Sequence, residues 1–210
     1  MNHGEHQSPG IPLKSPFQPP ENWNWRHALV ANLVMDGLQF ILANLVGAFR
    51  KNAALDPAEI KRYYRTQRRP SFSPPSWVFL PAWTFNRVLA SVAALRVLNL
   101  PAGAPGRRSY LVLQVFSWLD FTAWTAATFA LRSTVNVFVL TALFLVFTSA
   151  SIFVAVFRLK DTKVALLLAS LLIWLLLATA VSYKLLLWNR DEFYRVGPFR
   201  QPGKDELSAP

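Results

Sequence analysis

The chain has 210 residues, of which 53% are hydrophobic and 14% aromatic, with a formal net charge of +11 and no cysteine. The absence of thiols excludes disulfides, thiolate metal sites and thiol catalysis. The positive charge raises nucleic acid as a partner, but the basic residues sit in short segments beside long apolar runs, as in membrane proteins whose loops meet anionic headgroups, so no nucleic-acid role is read from them.

Residues 1–27 form a polar extension rich in proline (Pro9, Pro12, Pro16, Pro19, Pro20) that also holds His3, His6 and His27, from which no metal site is expected. No basic segment followed by an apolar one precedes Ala28, so the first span is expected to act as the insertion signal rather than a cleavable leader. That span covers about 28–49 and carries Asp36. The loop 50–76 follows, where Asp56-Pro57-Ala58-Glu59 reads as a helix start with an Asp N-cap and proline at the first helical position. A short amphipathic helix to about Arg65 places Ile60 and Tyr64 on one face.

The second span, about 77–99, carries Arg87, and the third, about 110–131, carries Asp120. The fourth (134–157) lies in the charge-free stretch between Arg132 and Arg158, and the fifth (164–188) takes most of its length from the one between Lys163 and Lys184. Each run reaches the ~20 residues that cross ~30 Å of hydrocarbon. The fold class is therefore an all-α membrane protein, a five-transmembrane-helix bundle over 28–190 with a tail at 191–210. In that tail Lys204-Asp205-Glu206-Leu207 spells an ER-retrieval signal, but Ser208-Ala209-Pro210 follow it, so it is taken as coincidence.

Five spans put loop 50–76, Arg132-Ser133 and the tail on one side, with Arg50, Lys51, Lys61, Arg62, Arg65, Arg68, Arg69, Arg132, Arg190, Arg195, Arg200 and Lys204. The other side holds Lys14, Arg26, Arg107, Arg108, Arg158, Lys160 and Lys163. The richer side is expected in the cytoplasm and the N-terminus outside. Arg87, Asp120 and Asp36 all fall near mid-bilayer, where an unpaired charge costs roughly 3 kcal/mol. Arg87 is expected to pair with Asp120 or with Asp36, as a packing staple or as the polar floor of a cavity. Asp120→Asn is then expected to weaken assembly.

The segment entering the second span carries Tyr63-Tyr64, Arg69-Pro70, Phe72, Pro74-Pro75, Trp77, Pro81 and Trp83-Thr84, and the fifth span carries Leu172, Trp174, Ala178-Thr179, Val181 and Tyr183. In these two patches the chain resembles the TspO/MBR (tryptophan-rich sensory protein, or translocator protein) family. The resemblance implies a bundle with an apolar cavity for a porphyrin, a haem or a similar apolar aromatic molecule. Carried over by position, it places Phe79, Ala82, Trp83, Phe138, Trp174, Ala178 and Val181 at the ligand, with Arg65, Arg68, Arg69, Phe72 and Trp77 at the entrance. Residues 174, 178 and 181 also form a single helical stripe by spacing alone. The pattern breaks at Asn86-Arg87, at Trp118 and Phe121, at Ser170-Leu171 and at Ser182.

Three functions stay open on the sequence. One is a tetrapyrrole-binding sensor, carrier or scavenger. Another is an accessory subunit of a larger membrane complex, docked through the tail's Phe193-Tyr194-Arg195 and Phe199-Arg200. The third is light- and oxygen-dependent porphyrin breakdown through Trp83 and Trp174. No nucleophile–base set supports conventional catalysis, so an enzyme is the less favoured reading. Partners are the lipid bilayer and the small ligand, with a homodimer or larger complex left open, although no glycine-based small-xxx-small pattern is read. Cholesterol is the weakest ligand, because Lys184 and Arg190 fall at the wrong distances from Tyr183. A bacterial inner membrane is the first expectation for location and the mitochondrial outer membrane the second.

Overall fold

The computed structural model describes residues 22–50 and 55–207. His3, His6, Lys14, Lys51, the prolines of the extension and Ser208–Pro210 lie outside the described residues. Helix α1 runs over Trp25–Phe49, α2 over Pro57–Thr66, α3 over Ser76–Leu98, α4 over Arg107–Thr125, α5 over Thr134–Phe157 and α6 over Thr162–Trp188. A π-helical turn, Ala126–Ala130, prolongs α4, and a 3-10 turn, Lys204–Glu206, closes the tail. Among the described residues there is no β-strand, only one isolated bridge between Pro70 and Leu207.

Side chains and loop backbone fix the helix starts. Asn24 accepts from Arg26 N while His27 Nδ1 accepts from Asn24 N, a reciprocal cap that accounts for that histidine. Asp56 accepts from Ala58 N at 2.7 Å, with Pro57 beginning α2, and Ser133 and Asp161 cap α5 and α6. Gly106 turns the chain into α4 with φ of 81°, and a Cβ there would meet Arg158 Cβ at 2.6 Å. That position requires glycine twice over, for its dihedral and for its space.

Four helices, α1, α3, α5 and α6, are long and apolar enough to cross a membrane. The fifth is α4 with its π turn, 19 and 5 residues, less apolar because it buries Gln114, Ser117, Asp120 and Thr122 toward its neighbours. Gln114 donates to Ser151 of α5 at 3.0 Å, so part of that polarity is spent inside the bundle. α6 packs on α5 and α3, α4 on α5, and α1 lies mainly on α4 and the π turn. There α1 buries Ala43 and Gly47 and the turn buries Ala126, Ala127 and Ala130, so small residues let two backbones approach. The Ala43-xxx-Gly47 pair is a small-xxx-small pattern after all, and it works within the chain.

The bundle is solid at one end and hollow at the other. Ala93, Val97, Tyr110, Ala155, Val164 and Leu168 close the end where α3 finishes and α4 begins. Around mid-depth Phe144, Leu171 and Leu175 form a second cluster with Trp83 and Phe121 against it. Beyond these, toward the start of α3, the helices diverge around open space.

The intramembrane charges resolve one way. Arg87 Nη1 donates to Asp36 Oδ1 at 2.7 Å, and its Nε and Nη2 donate to Asn32 Oδ1 at 3.1 and 2.9 Å. Asp120 does not join this pair: it is buried on α4 with Oδ2 unpartnered. The pairing follows from packing, since Asp36 and Asn32 are one helical turn apart on the face of α1 that meets α3. The expectation for Asp120→Asn is accordingly reversed. Asp36→Asn, which leaves Arg87 without its counter-ion, is expected to lower stability in the membrane by about 3 kcal/mol. Asp120→Asn, which removes a carboxylate that has no cationic partner among the described residues, is expected to leave stability unchanged or raised. Denaturation in mixed detergent micelles measures both, and an equal loss in the two variants would contradict the assignment.

Candidate functional site

The hollow end is a cavity of about 400 Å³ bounded by α3, α4, α5 and α6 and roofed by α2 and the loop Gln67–Ser76. Its volume falls in the range of pockets for small organic ligands. Helix α3 contributes Phe79 and Trp83, four residues apart, and α6 contributes Trp174, Ala178 and Val181. Helix α5 contributes the stripe Thr134, Val137, Thr141 and Phe144, while α4 and its π turn contribute Phe121, Trp124, Thr128 and Phe129.

Aromatic packing holds the walls. Trp83 lies parallel to Phe144 at 6.2 Å, 4.9 Å from Phe121, and edge-on to Trp174 at 6.1 Å. Phe79 meets Trp174 edge-on at 5.5 Å. Trp124 Nε1 donates to Thr141 Oγ1 at 3.0 Å, which ties two lining residues of α4 and α5 together. Trp174 Nε1 is buried and unpartnered. The ring set offers flat apolar surface with small Ala178 leaving room beside it, suited to a planar molecule.

Two carried-over residues stand elsewhere. Phe138 packs on Tyr183 at 5.5 Å and Ala82 lies about a quarter turn from the Phe79–Trp83 face, so neither lines the cavity. The α5 face that does so is one residue earlier, at Val137. The threonines Thr134 and Thr141, polar and buried within an apolar helix, were its sequence signal. Phe129 and Thr128 had none, because the π turn shifts them off a 3.6-residue period.

At the entrance, Arg69 alone of the five expected residues lines the cavity, its guanidinium 5.4 Å over the Tyr64 ring. Arg65 is exposed and points to no described partner, Phe72 and Trp77 are exposed outside the opening, and Arg68 serves the backbone. Arg68 N donates to Asn189 Oδ1 at 2.8 Å and Asn189 Nδ2 donates back to Arg68 O at 3.1 Å. The Arg68 guanidinium also contacts Gln201. Tyr63 and Tyr64 form part of the roof, and burial pushes both hydroxyls above the usual tyrosine value, which keeps them neutral donors.

The tail does not extend away. From Asn189 it returns across the roof, where Ser71 N donates to Glu206 O at 2.8 Å and Lys184 and Arg200 each meet the Glu206 carboxylate at 3.0 Å. Arg132 links Glu59 of α2 at 3.0 Å and Glu192 of the tail at 3.8 Å, and stacks over Tyr63. Residues 55–76, the α4–α5 turn and the tail therefore share one face of the bundle.

The Glu206 carboxyl is held below the usual range first by Gly203 N–H and then by Lys184, and Glu59 is held low by Arg62 and Arg132. A carboxyl depressed on folding contributes its tie above the ordinary range and loses it as pH falls through the depressed value. The strap is thus expected to loosen from the roof once pH falls below the ordinary carboxylate range, as both carboxylates protonate. Spin labels at Ser71→Cys and Asp205→Cys report it, since the chain has no other cysteine. A short, narrow distance at neutral pH should broaden on acidification, and an unchanged distance would contradict the linkage.

Among the described residues no group of three or more His, Cys, Asp or Glu is placed to hold a metal. The walls of the large cavity contain no His, Cys or Met, the usual axial ligands of a haem, though Tyr63 and Tyr64 carry hydroxyls there. The wall chemistry fits a ring system held by stacking better than an iron held by ligation.

Five membrane-crossing helices around one aromatic cavity define a multi-pass integral membrane protein. The chain belongs to the TspO/MBR family, whose sequence profile matches residues 39–188. It is similar to the tryptophan-rich sensory protein of Cereibacter sphaeroides, 32% identical over 142 residues that make up 67% of this chain and 84% of that protein. It is also similar to the tryptophan-rich protein TspO of Chlorobaculum tepidum, 26% identical over 133 residues, 63% of this chain and 83% of the relative.

Proposed function

We propose that the protein binds a flat, apolar aromatic molecule of the tetrapyrrole class in the large cavity and acts as its sensor, carrier or scavenger. The observation that carries this reading is the cavity itself: about 400 Å³ faced by Trp83, Trp174 and Phe79, with Ala178 making room and Arg69 at the opening. Stacking on indole and phenyl faces supplies the affinity, and the guanidinium attracts acidic substituents at the rim. The name of the Cereibacter relative, tryptophan-rich sensory protein, agrees with a sensing role. We further assign the strap-covered face to the cytoplasm of a bacterial inner membrane, following the excess of Lys and Arg on that face.

The test is a titration of the protein in lipid nanodiscs with protoporphyrin IX, followed by tryptophan quenching and the Soret band. Saturable one-to-one quenching, absent from empty nanodiscs, is the expected result. Quenching no different from that of the lipid alone would remove the proposal. Illumination of the complex in air provides a further readout: loss of pigment that depends on Trp83 would add a degradative role.

A further inference from the structure

Beneath Trp83, toward the solid end of the bundle, lies a second and smaller cavity of about 50 Å³. Its polar lining comes from Asn32, Gln39, Asn86, Arg87 and Ser91, at a depth where the surrounding helices face hydrocarbon. Gln39, Trp83, Arg87, Phe121 and Phe144 line both cavities, so the two adjoin across one shared wall. The volume admits about three water-sized groups, the size of a carboxyl.

The polar groups here are only partly satisfied. Asn86 is 3% exposed, and its Oδ1 has no donor among the described residues. A buried amide oxygen without a donor is costly, and more so in a membrane, where the lipid offers none. Arg87 gives its Nε, one Nη1 and its Nη2 hydrogens to Asn32 and Asp36, and a guanidinium has five, so donor capacity remains. Gln39 Oε1 already accepts from Thr125 Oγ1 at 3.1 Å, which leaves its amide nitrogen to donate. The pocket therefore asks for a group that both donates and accepts. Asp36 neutralises Arg87, so the group is an uncharged acid or hydroxyl rather than an added anion.

We propose that this small cavity is a subsite for the carboxyl or hydroxyl arm of the ligand whose ring system lies in the large cavity. The arm donates to Asn86 Oδ1 and accepts from Arg87 and Gln39. This inference rests on the ligand-binding reading above and adds to it the chemical class of the ligand: a planar aromatic molecule bearing at least one hydrogen-bonding arm, inserted with that arm inward. The residues involved, Asn86 and Arg87, stand where the family's sequence pattern is broken, so the selectivity belongs to this chain's own floor.

Pyropheophorbide a, a chlorin with a single carboxyl, and its methyl ester provide the probes. On the unmodified protein at about pH 4.5, where much of the free carboxyl is protonated, and with each affinity corrected for partition into empty nanodiscs, the acid is expected to bind at least about tenfold tighter than the ester, which lacks the donor. Asn86→Leu should bring the acid-to-ester ratio close to one, while Arg65→Met, exposed and outside the cavity lining, should leave the ratio standing. Equal binding of the two probes to the unmodified protein overturns the subsite and leaves the ligand-binding reading intact. A ratio lost in Arg69→Met but kept in Asn86→Leu places the carboxyl at the mouth and also overturns it. Binding of neither probe, with protoporphyrin IX equally inert, removes the reading and the subsite together.

Discussion

Ala178→Trp is expected to weaken porphyrin binding by up to about a hundredfold while the protein still folds and inserts. Ala178 lies on the cavity face of α6, one turn beyond Trp174 and one turn before Val181 and Ser182, all of which line the same space. An indole built there has only the cavity to enter. It occupies the space opposite Trp83 that a planar ligand needs, and accommodating both demands displacement of packed rings. Overpacking of that kind costs about 1–3 kcal/mol, so affinity should fall by up to about a hundredfold. The fold tolerates the change because the indole fills a void instead of invading the solid cluster at Ala93, Val97 and Leu168. Soret-band titration is the suitable measure, since the added tryptophan complicates fluorescence. Ala82→Trp and Phe138→Trp, whose side chains leave the cavity untouched, should titrate like the unmodified protein. If Ala178→Trp bound porphyrin undiminished, the large cavity would not be the site.

That contrast also marks how far residue spacing carries. Trp174, Ala178 and Val181 were legible as a stripe because α6 is a regular helix and three large-to-small positions at i, i+4 and i+7 can face only one way. Phe138 was carried over by alignment to a family position, and a one-residue offset on a helix is a 100° rotation, enough to move it from the wall to a contact with Tyr183. The face was nevertheless written in the threonines of α5, since Thr134 and Thr141 are buried polar groups spaced by two turns. The π turn was not legible. Its extra residue per turn depends on how α4 ends against α1, a tertiary event, and it alone brings Phe129 over the cavity.

Charge showed the same division. Three ionisable residues at similar depth required pairing, and hydropathy located all three, but it could not say which helices touch. The choice of Asp36 over Asp120 depends on α1 lying close enough to α3 for Asn32 to accept from the same guanidinium. In a linear chain the tail's aromatic and basic residues have no visible contacts, which is what lets one of the three sequence readings use them for docking. In three dimensions its polar groups turn inward to Arg68, Ser71 and Lys184, while Phe199 and Tyr194 remain exposed.

What holds that return is Asp191, and Asp191→Ala is expected to release the strap. The residue is 1% exposed and its carboxylate accepts from Ser133 Oγ at 2.8 Å, Val135 N at 2.9 Å, Phe193 N at 2.9 Å and Tyr194 N at 2.7 Å. One side chain thus caps the start of α5 and fixes the reversal of the chain after α6. Removing it leaves several buried donors without acceptors, each loss costing about 1–3 kcal/mol, against a few kcal/mol gained from no longer burying a carboxylate. The net cost should be about 3 kcal/mol, and it falls locally, because α5 and α6 remain joined along their length. Trypsin should then cut after Arg195 and Arg200 well before it touches the bundle, whereas the unmodified strap resists. Loosening the strap also frees Arg68 and Ser71, so the roof over the cavity should open and porphyrin should associate faster without a comparable change in the packed end. A strap that stayed as resistant to trypsin in Asp191→Ala as in the unmodified protein would place the anchor elsewhere, in the ties of Glu206 to Ser71, Lys184 and Arg200.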